Sequence, residues 1–247
     1  MEDGKSSQMN LKVIYEDNHI IVVEKPVNIP SQGDKTGDED MLTIIKQYIK
    51  EKYNKPGEVY LGLVHRLDRP TGGVMVFAKT SKAASRLSEQ VRNKEFEKQY
   101  LCIVDGKMEN EKGTFKDFLL KNERTNTSRV IDINNAKSKE VRNAKEAILD
   151  YEVVKYNEEI NLSVVKVLLH TGRHHQIRVQ FASRNHSLYG DQKYGTRGRG
   201  KQLALWAYSL SFNHPTTKKR LCFEDYPEKM GSWKILEEEQ SYINNYK

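Results

Sequence analysis

The chain has 247 residues, of which 37% are hydrophobic and 30% are charged, a balance typical of a globular protein with a buried core. No apolar run approaches the roughly 20 residues that a membrane-spanning helix needs. The first ten residues do not fit a secretory signal, because they lack an apolar core. Lys and Arg number 41 against 34 Asp and Glu, and this positive excess favours a polyanionic partner such as nucleic acid.

The chain contains two cysteines, Cys102 and Cys222, and each lies in a short apolar run. A free cysteine in such a run behaves as a small hydrophobic residue. The simplest interpretation is a reducing compartment, so we expect a cytoplasmic protein.

The first part of the chain alternates strand and helix signals. Residues 20–23 form an apolar run that ends at Lys25-Pro26, as a strand does when it enters a loop. Residues 41–53 carry apolar side chains at the 3.6-residue period of an amphipathic helix. A strand is predicted over residues 74–78. A helix then runs from Thr80 or Ser81 to about Arg92, with three inward-facing residues, Ala84, Leu87 and Val91.

The second part of the chain is richer in strand signals. Residues 100–104 are strand-like and stop at a turn, Asp105-Gly106. Residues 147–154 and 162–169 are β-rich runs that we predict to form an antiparallel pair. A helix is predicted over residues 175–184 and a further strand over residues 203–212.

These elements interleave without a strict βαβ rhythm, which indicates the α+β class: a mixed, mainly antiparallel sheet with flanking helices. No internal repeat or linker rich in Pro or Gly divides the chain. We therefore expect a short tail, residues 1–10, and a single catalytic domain, residues 11–240.

Three segments concentrate positive charge in polar, turn-rich sequence, as loops that line a phosphate track do. They are residues 121–129, 193–201 and 214–220. Any one of them alone is equally well explained as an ordinary solvated loop.

Residues 195–202, GTRGRGKQ, match the phosphate-binding pattern G-x-x-x-x-G-K except at the last position. Gln202 stands where Ser or Thr would hold magnesium. The segment also precedes a strand-like run instead of a helix. A flexible basic loop is the better interpretation, and nucleotide hydrolysis is a distant alternative.

A second pattern that suggests a metal site is the helical i, i+4 spacing of His170 and His174. Gly172 lies between them, the glutamate of the H-E-x-x-H pattern is missing, and His170 ends a predicted strand. We therefore expect no metal, and histidines that form hydrogen bonds or contact phosphate.

Residues 63–80, LVHRLDRPTGGVMVFAKT, place Asp68 between Arg66 and Arg69 at an apparent turn between two apolar strands. Nearby positive charge holds a carboxylate ionised, and an ionised carboxylate can act as a covalent nucleophile. A structural salt bridge within this segment is the alternative, and the residues alone leave both interpretations open.

Four stretches in the same order resemble the RluA family of pseudouridine synthases, with a late fifth stretch in support. Each is similar to a family motif and together they span nearly the whole chain: EKPVNIPSQGD (24–34), HRLDRPTGG (65–73), EFEKQYLCIVDGK (95–107), LLHTGRHHQIRVQFA (168–182) and LALWAYSLSFNHP (203–215). The resemblance implies the pseudouridine synthase catalytic fold. It implies the short form without an N-terminal RNA-binding domain, since about ten residues precede the first core strand.

The resemblance implies a catalytic set of three residues. Asp68 falls on the family's nucleophile, Tyr100 on the tyrosine that packs against the target base, and Arg178 on the basic residue that pairs with the aspartate. It also implies RNA contacts, with Arg66 filling the space that the target base leaves; the RNA-binding residues are His65, Arg66, Arg173, His175 and Gln176.

By this resemblance we expect an isomerase that converts a specific uridine of structured ribosomal or transfer RNA into pseudouridine, with no cofactor. Single-stranded loops are favoured, because their bases can be splayed out and read. We expect a monomer with an RNA stem-loop as its partner and no membrane association. The alternative is an RNA-binding or assembly protein that keeps the fold without the chemistry.

Overall fold

The structure, a computed structural model, describes residues 11–196 and 199–239. The tail predicted over residues 1–10 lies outside the described residues. Contacts between residues divide the chain into two compact units. Unit 1 is Met1–Phe96 with Phe212–Phe223, and unit 2 is Glu97–Ser211 with Glu224–Lys247. The single domain expected over residues 11–240 stays a prediction.

Unit 1 is built on antiparallel strands and two helices. Its elements are β1 (Val13–Glu16), β2 (Ile20–Lys25), α1 (Met41–Lys52), β3 (Gly62–Leu63), β4 (Gly72–Ala78) and α2 (Ser81–Arg92). Strand β2 pairs with β1 and β4, and β3 also pairs with β4. All seven residues of β4 are buried, which fits the continuous apolar sequence of a strand covered on both faces.

Both helices of unit 1 begin at a side-chain cap. Asp40 accepts hydrogen bonds from the first turn of α1, and Thr80 accepts one from Ala83 N at 3.2 Å in α2. The inner face predicted for α2 is partly wrong. Leu87 is buried, but the other buried positions are Ala83 and Gln90, because the Gln90 side-chain amide exchanges two hydrogen bonds with the Asn213 backbone.

Unit 2 contains an antiparallel sheet in the order β10-β5-β9-β8-β6-β7. Its strands are β5 (Glu97–Asp105), β6 (Lys112–Asn122), β7 (Thr127–Ile131), β8 (Lys145–Asn157), β9 (Leu162–Leu169) and most of β10 (Leu205–Asn213). The remaining elements of the chain are α3 (Ser138–Asn143), α4 (Gln176–Ala182), β11 (Arg220–Glu224) and a 3-10 helix (Gly231–Glu239). The predicted α+β class is confirmed, as is the predicted β8–β9 pair.

The basic segment at residues 121–129 is the tip of the β6–β7 hairpin and the start of its second strand. The sequence predicted only a loop there. Strands β6 and β7 each bury few side chains, so they lack the continuous apolar signal that marked the other strands.

Helix α4 is shorter than predicted, since it covers Gln176–Ala182 instead of residues 175–184. His175 precedes it with a left-handed backbone, φ 54°. This conformation is uncommon for residues other than glycine. The side chains from Gln176 to Phe181 are all buried, so α4 is held by packing on several sides.

Neither cysteine forms a disulfide within the described part of the chain, and the two differ in environment. Cys102, in β5, is fully buried, and this burial raises the pKa of its thiol. Cys222, in β11, is exposed.

None of the helices within the described ranges has the length and apolar composition that are needed to cross a membrane.

Candidate active site

The loop between β3 and β4 presents Asp68 at a tight turn in unit 1. The Thr71 N–H donates to the Asp68 carbonyl at 2.9 Å. Leu67 is buried, Asp68 is half-buried and Arg66 is exposed. The loop therefore anchors itself through Leu67 and turns the two neighbouring polar side chains outward from that anchor.

A buried serine fixes the backbone of this loop from below. Ser31 Oγ accepts from Leu67 N at 3.2 Å and donates to Leu67 O at 2.8 Å. Ser31 is 5% exposed, so both bonds are shielded from competing water. The residue directly before Asp68 is thus held through its N–H and its carbonyl by one side chain.

Lys25, the last residue of β2, is fully buried beneath the same loop. Its ammonium donates to three carbonyls, Pro26 O at 2.8 Å, Ile29 O at 2.6 Å and Arg69 O at 3.0 Å. An ammonium has three N–H donors, so all three find acceptors. Lys25 therefore joins the residues after β2 to the residue that follows Asp68.

Two influences act on the charge of Lys25 in opposite directions. Burial lowers its pKa to about 7, the Asp68 carboxylate opposes this lowering, and Arg69 adds to it. The three carbonyl acceptors favour the charged ammonium. Each of these contacts is a direct bond to the charged form, so together they stabilise the ammonium in its buried position.

Arg69 has partners other than Asp68. Its guanidinium contacts Asp38, lies 3.8 Å from Asp34, and donates to Asn28 O at 3.1 Å and Thr36 Oγ1 at 3.1 Å. Arg69 thus ties residues 28–38 to the Asp68 loop. Arg66 makes no ion pair within the described ranges. The local salt-bridge interpretation of Asp68 is therefore not supported by either neighbouring arginine.

His65, predicted to bind RNA, anchors the start of the loop. Its Nε2 accepts from Val76 N at 3.1 Å, so its other nitrogen, Nδ1, carries the proton of the neutral ring. Its ring lies edge-on to Phe96 at 6.1 Å. An RNA contact by His65 stays a prediction.

In unit 2, Tyr100 lies in the middle of β5 and is 7% exposed. It is opposite Ala207 in β10 and Val167 in β9. Tyr100 is therefore flanked by a small residue in one neighbouring strand and a β-branched residue in the other. Its low exposure leaves the ring little freedom to move.

Arg178, in α4, forms a buried bidentate pair with Asp191. Its Nε donates to Asp191 Oδ2 and one Nη to Asp191 Oδ1, both at 2.7 Å. The side chains are 4% and 0% exposed. Asp191 Oδ1 also accepts from the backbone N–H groups of Lys193 and Tyr194. The pairing of Arg178 with Asp68, residues of different units, stays a prediction.

A cluster of rings joins α4 to the β6–β7 hairpin. Tyr194 Oη lies 2.7 Å from His175 Nδ1 and accepts from Ser128 N at 2.7 Å. The His174 ring stacks on His175 at 3.7 Å and reaches Ser128 Oγ at 2.9 Å. Burial, and next the charge of Arg178, lowers the pKa of His175 to about 2, so this ring is neutral at physiological pH.

Gln176 organises the turn before α4. Its Oε1 accepts from Thr171 Oγ1 at 2.8 Å and from Arg173 N at 3.0 Å. Its Nε2 donates to Ile148 O at 3.1 Å. Arg173 is exposed and donates through Nε to Glu146 O at 2.8 Å. RNA contacts by Arg173, His175 and Gln176 stay predictions; the burial of the last two favours a supporting role.

His170 and His174, whose spacing resembled a metal site, have different partners. His170 Nε2 lies 2.6 Å from Asp150 Oδ2, and His174 bonds to Ser128. No group of three or more metal-ligating side chains is found among residues 11–196 and 199–239.

Sequence reasoning missed three residues that position the predicted catalytic set. Lys25 and Ser31 lie within the EKPVNIPSQGD stretch, but nothing in that stretch indicates that they reach the Asp68 loop. Asp191 lies in a polar loop thirteen residues after Arg178. Its position directly after Gly190 suggests a turn and gives no indication of an arginine partner.

Comparison with known proteins places these units in a class of RNA-modifying isomerases. A family model described as RNA pseudouridylate synthase matches residues 19–183. An uncharacterized RNA pseudouridine synthase of Aquifex aeolicus is 33% identical over 244 residues, which cover 93% of this chain and 74% of the relative. Ribosomal large subunit pseudouridine synthase C of Pasteurella multocida is 31% identical over 88% of this chain and 65% of that protein.

A solved structure, human RNA pseudouridylate synthase domain containing 1, has the same fold. It matches with a TM-score of 0.72 at 23% identity and covers 94% of this chain and 89% of that one. The chain therefore belongs to the RNA pseudouridylate synthase family. It is an RNA pseudouridine synthase, an isomerase that converts uridine to pseudouridine, as the RluA-family resemblance predicted.

Proposed function

We propose that Asp68 is the nucleophile of this isomerase, with Tyr100 against the target base and Arg178 as the cation that pairs with the carboxylate. The observation that carries the proposal is the anchoring of the Asp68 loop. Lys25 and Ser31 are buried, and they bond to the backbone of Arg69 and Leu67, the two residues that flank Asp68. Hydrogen bonds from buried side chains to the backbone of a loop fix a functional side chain of that loop in position.

The chemistry requires no external reactant, because uridine and pseudouridine have the same composition. The bond between sugar C1′ and base N1 breaks, a bond between C1′ and C5 forms, and a proton leaves C5 while N1 gains one. An ionised carboxylate can assist the first step as a nucleophile. A group that accepts the C5 proton completes the reaction, and no cofactor is needed.

Arg178 can serve a second carboxylate while it holds Asp191. A guanidinium has five N–H donors, and the pair with Asp191 uses two of them. Asp191 would then orient Arg178, and Arg178 would stand as the positive partner of Asp68.

Arg66 is proposed to occupy the place of the extruded uridine. A base within a stack cannot present its glycosidic bond to a side chain, and extrusion costs a few kcal/mol. Arg66 is exposed and forms no hydrogen bond within the described part of the chain. A planar guanidinium there is available to stack between bases and to contact phosphate.

The proposed substrate is a structured loop of ribosomal RNA, with transfer RNA as the other candidate. The Pasteurella multocida relative is named for the ribosomal large subunit, and the net charge of +7 suits a polyanion. We further propose that the enzyme acts in the cytoplasm as a monomer.

The decisive experiment maps pseudouridine in total RNA from cells that lack the gene and from the same cells rescued with wild type, Asp68→Asn or Asp34→Asn. We expect one or more sites to disappear in the knockout and to return with wild type and Asp34→Asn. Asp34 is the matched control, because it is an exposed carboxylate that faces Arg69.

Rescue by Asp68→Asn would contradict the assignment of the nucleophile. A knockout with an unchanged map would favour the RNA-binding or assembly protein that keeps the fold without the chemistry. The lost site would also identify the RNA, which decides between ribosomal and transfer RNA.

A further inference from the structure

Lys98 lies on the same face of β5 as Tyr100. Side chains two residues apart in a strand point to the same side, and β5 is regular here because Gln99 and Tyr100 pair in register with Leu168 and Val167 of β9. The irregularity between β5 and β10 places its extra residue in β10. Lys98 therefore stands beside the proposed base-contacting tyrosine.

The ammonium of Lys98 reaches the turn that precedes α4. A Cβ at Gly172 would lie 3.4 Å from Lys98 Nζ. The Lys98 stem is half-buried while Gly172 is exposed, so the charge emerges at the surface directly against the Gly172 backbone. Long cationic side chains commonly bury the stem in this way and keep the head accessible.

Lys98 has no anionic partner among the residues that the structure describes: its side chain forms no hydrogen bond, ion pair or ring contact with them. Burial lowers its pKa below the ordinary value, which is the direction expected for an ammonium that loses water without gaining an anion. A partly buried charge without an anionic partner is unfavourable. We therefore expect an anionic group of a bound molecule to lie beside the Lys98 ammonium.

The turn that Lys98 reaches carries two more donors. The Gly172 N–H forms no hydrogen bond with the described residues. The exposed Arg173 guanidinium is held at Nε by Glu146 O and has no carboxylate partner among them. Lys98 and Arg173 supply positive charge and Gly172 supplies a backbone N–H donor, a combination that suits a phosphate.

We propose that Lys98, the Gly172 N–H and Arg173 bind a phosphate of the RNA backbone beside the target nucleotide. That this nucleotide is the target rests on the proposed role of Tyr100, whereas the phosphate contact itself does not. The site would fix the position of the backbone while the base is extruded, since phosphate contacts position an RNA without reading its sequence.

The test measures equilibrium binding of a 20-nucleotide oligouridylate, followed by fluorescence anisotropy across a series of salt concentrations, for wild type, Lys98→Met, Lys98→Arg and Lys166→Met. Lys166 is the matched control: a half-buried lysine of the same sheet, opposite Leu101 and therefore on the other face, with its Nζ over the Tyr208 ring.

We expect Lys98→Met to bind about tenfold more weakly, as for the loss of one charged hydrogen bond. The slope of log affinity against log salt should become shallower by about 0.7, the value for one phosphate contact to a single strand. Lys98→Arg should keep the wild-type slope, and Lys166→Met should leave affinity and slope unchanged. Oligoadenylate should show the same loss, because the contact is to phosphate.

An unchanged slope for folded Lys98→Met would overturn the proposal, and so would an affinity loss confined to oligouridylate, which would indicate a base contact. Equal losses in Lys98→Met and Lys166→Met would also overturn it, because they would show a general effect on the sheet. Thermal unfolding monitors the fold of each variant, and Lys98→Arg tests the charge should Lys98→Met not fold. None of these readouts depends on isomerisation, so they remain separate from the Asp68 experiment.

Discussion

The Asp68 loop and the α4 segment are both candidate parts of the active site, but their polar side chains are used differently. In the loop, the supporting bonds come from residues elsewhere in unit 1, Lys25 and Ser31, and Arg66 is left exposed. In the α4 segment, Arg178 and Gln176 are buried and bonded to neighbouring residues. The Asp68 loop is supported through its backbone, which leaves its polar side chains available for chemistry. Helix α4, by contrast, is held in position by its own polar side chains.

The strongest test of this contrast is Arg178→Ala. The change leaves the buried Asp191 carboxylate without its cation, and breaking a buried pair typically costs about 3–5 kcal/mol of unfolding free energy. Urea unfolding of wild type, Arg178→Ala, Asp191→Asn and the double variant would measure the coupling. A loss below about 1 kcal/mol in Arg178→Ala would show that the pair is not structural.

A smaller effect is expected from Ser31→Ala. The change removes one hydroxyl and leaves the Leu67 N–H and carbonyl unsatisfied in a buried place, at a cost of about 1–3 kcal/mol. Because Leu67 precedes Asp68, the rate of pseudouridine formation should fall along with stability. A stable variant with an unchanged rate would show that the Asp68 loop does not need this support.

Glu16 offers a pH-dependent test within unit 1. Burial raises its pKa, but the hydrogen bonds from Lys52, Lys79 and Tyr53 outweigh this and lower it to about 2. A carboxyl whose pKa is lower in the folded state adds stability above its unfolded pKa of about 4.5. That stability is lost as the pH falls towards about 2.

We therefore expect Glu16→Gln to be less stable than wild type at pH 7, with the difference shrinking between about pH 4.5 and pH 2. Urea titrations at several pH values would measure it. The control is Glu123→Gln, which alters an exposed pair with Lys121. A difference that stays constant down to the lowest pH would contradict the assigned linkage.

The smallest change in stability is expected from Arg66→Ala. An exposed side chain without bonds in the described structure should alter unfolding free energy by no more than about 0.5 kcal/mol. Pseudouridine formation should nevertheless fall on the order of tenfold or more, because extrusion of the base loses its compensation. Arg66→Ala would then lower activity without lowering stability, whereas Arg178→Ala lowers stability. A marked loss of stability in Arg66→Ala would contradict this difference between the loop and α4.

Much of the fold could be predicted because its strands are buried. Strands β2, β4, β9 and β10 have continuous apolar runs, and α1 shows a clear helical period. The β6–β7 hairpin could not be found in this way, because its strands bury only part of one face. Gln90 was missed on the inner face of α2 because its burial depends on the backbone of Asn213, more than a hundred residues away.

The site residues could be named from motifs, but their contacts could not. The sequence favoured an ionised Asp68 without showing that Lys25 and Ser31 hold its loop. Asp191 is recognisable only in three dimensions, since a loop carboxylate has no periodicity to indicate which arginine it meets. The contacts of His175 could not be predicted either: the resemblance assigns this residue to RNA, which stays a prediction, and the structure places its ring against Tyr194.

The contrast between the two cysteines makes the native chain suitable for optical measurements. Cys102 is closed to reagents inside β5, while Cys222 is exposed on β11. A maleimide dye should therefore attach at one position without any engineered substitution. Since Cys222 belongs to none of the motifs assigned to chemistry, a fluorophore there would label the enzyme for binding measurements and leave those motifs unaltered.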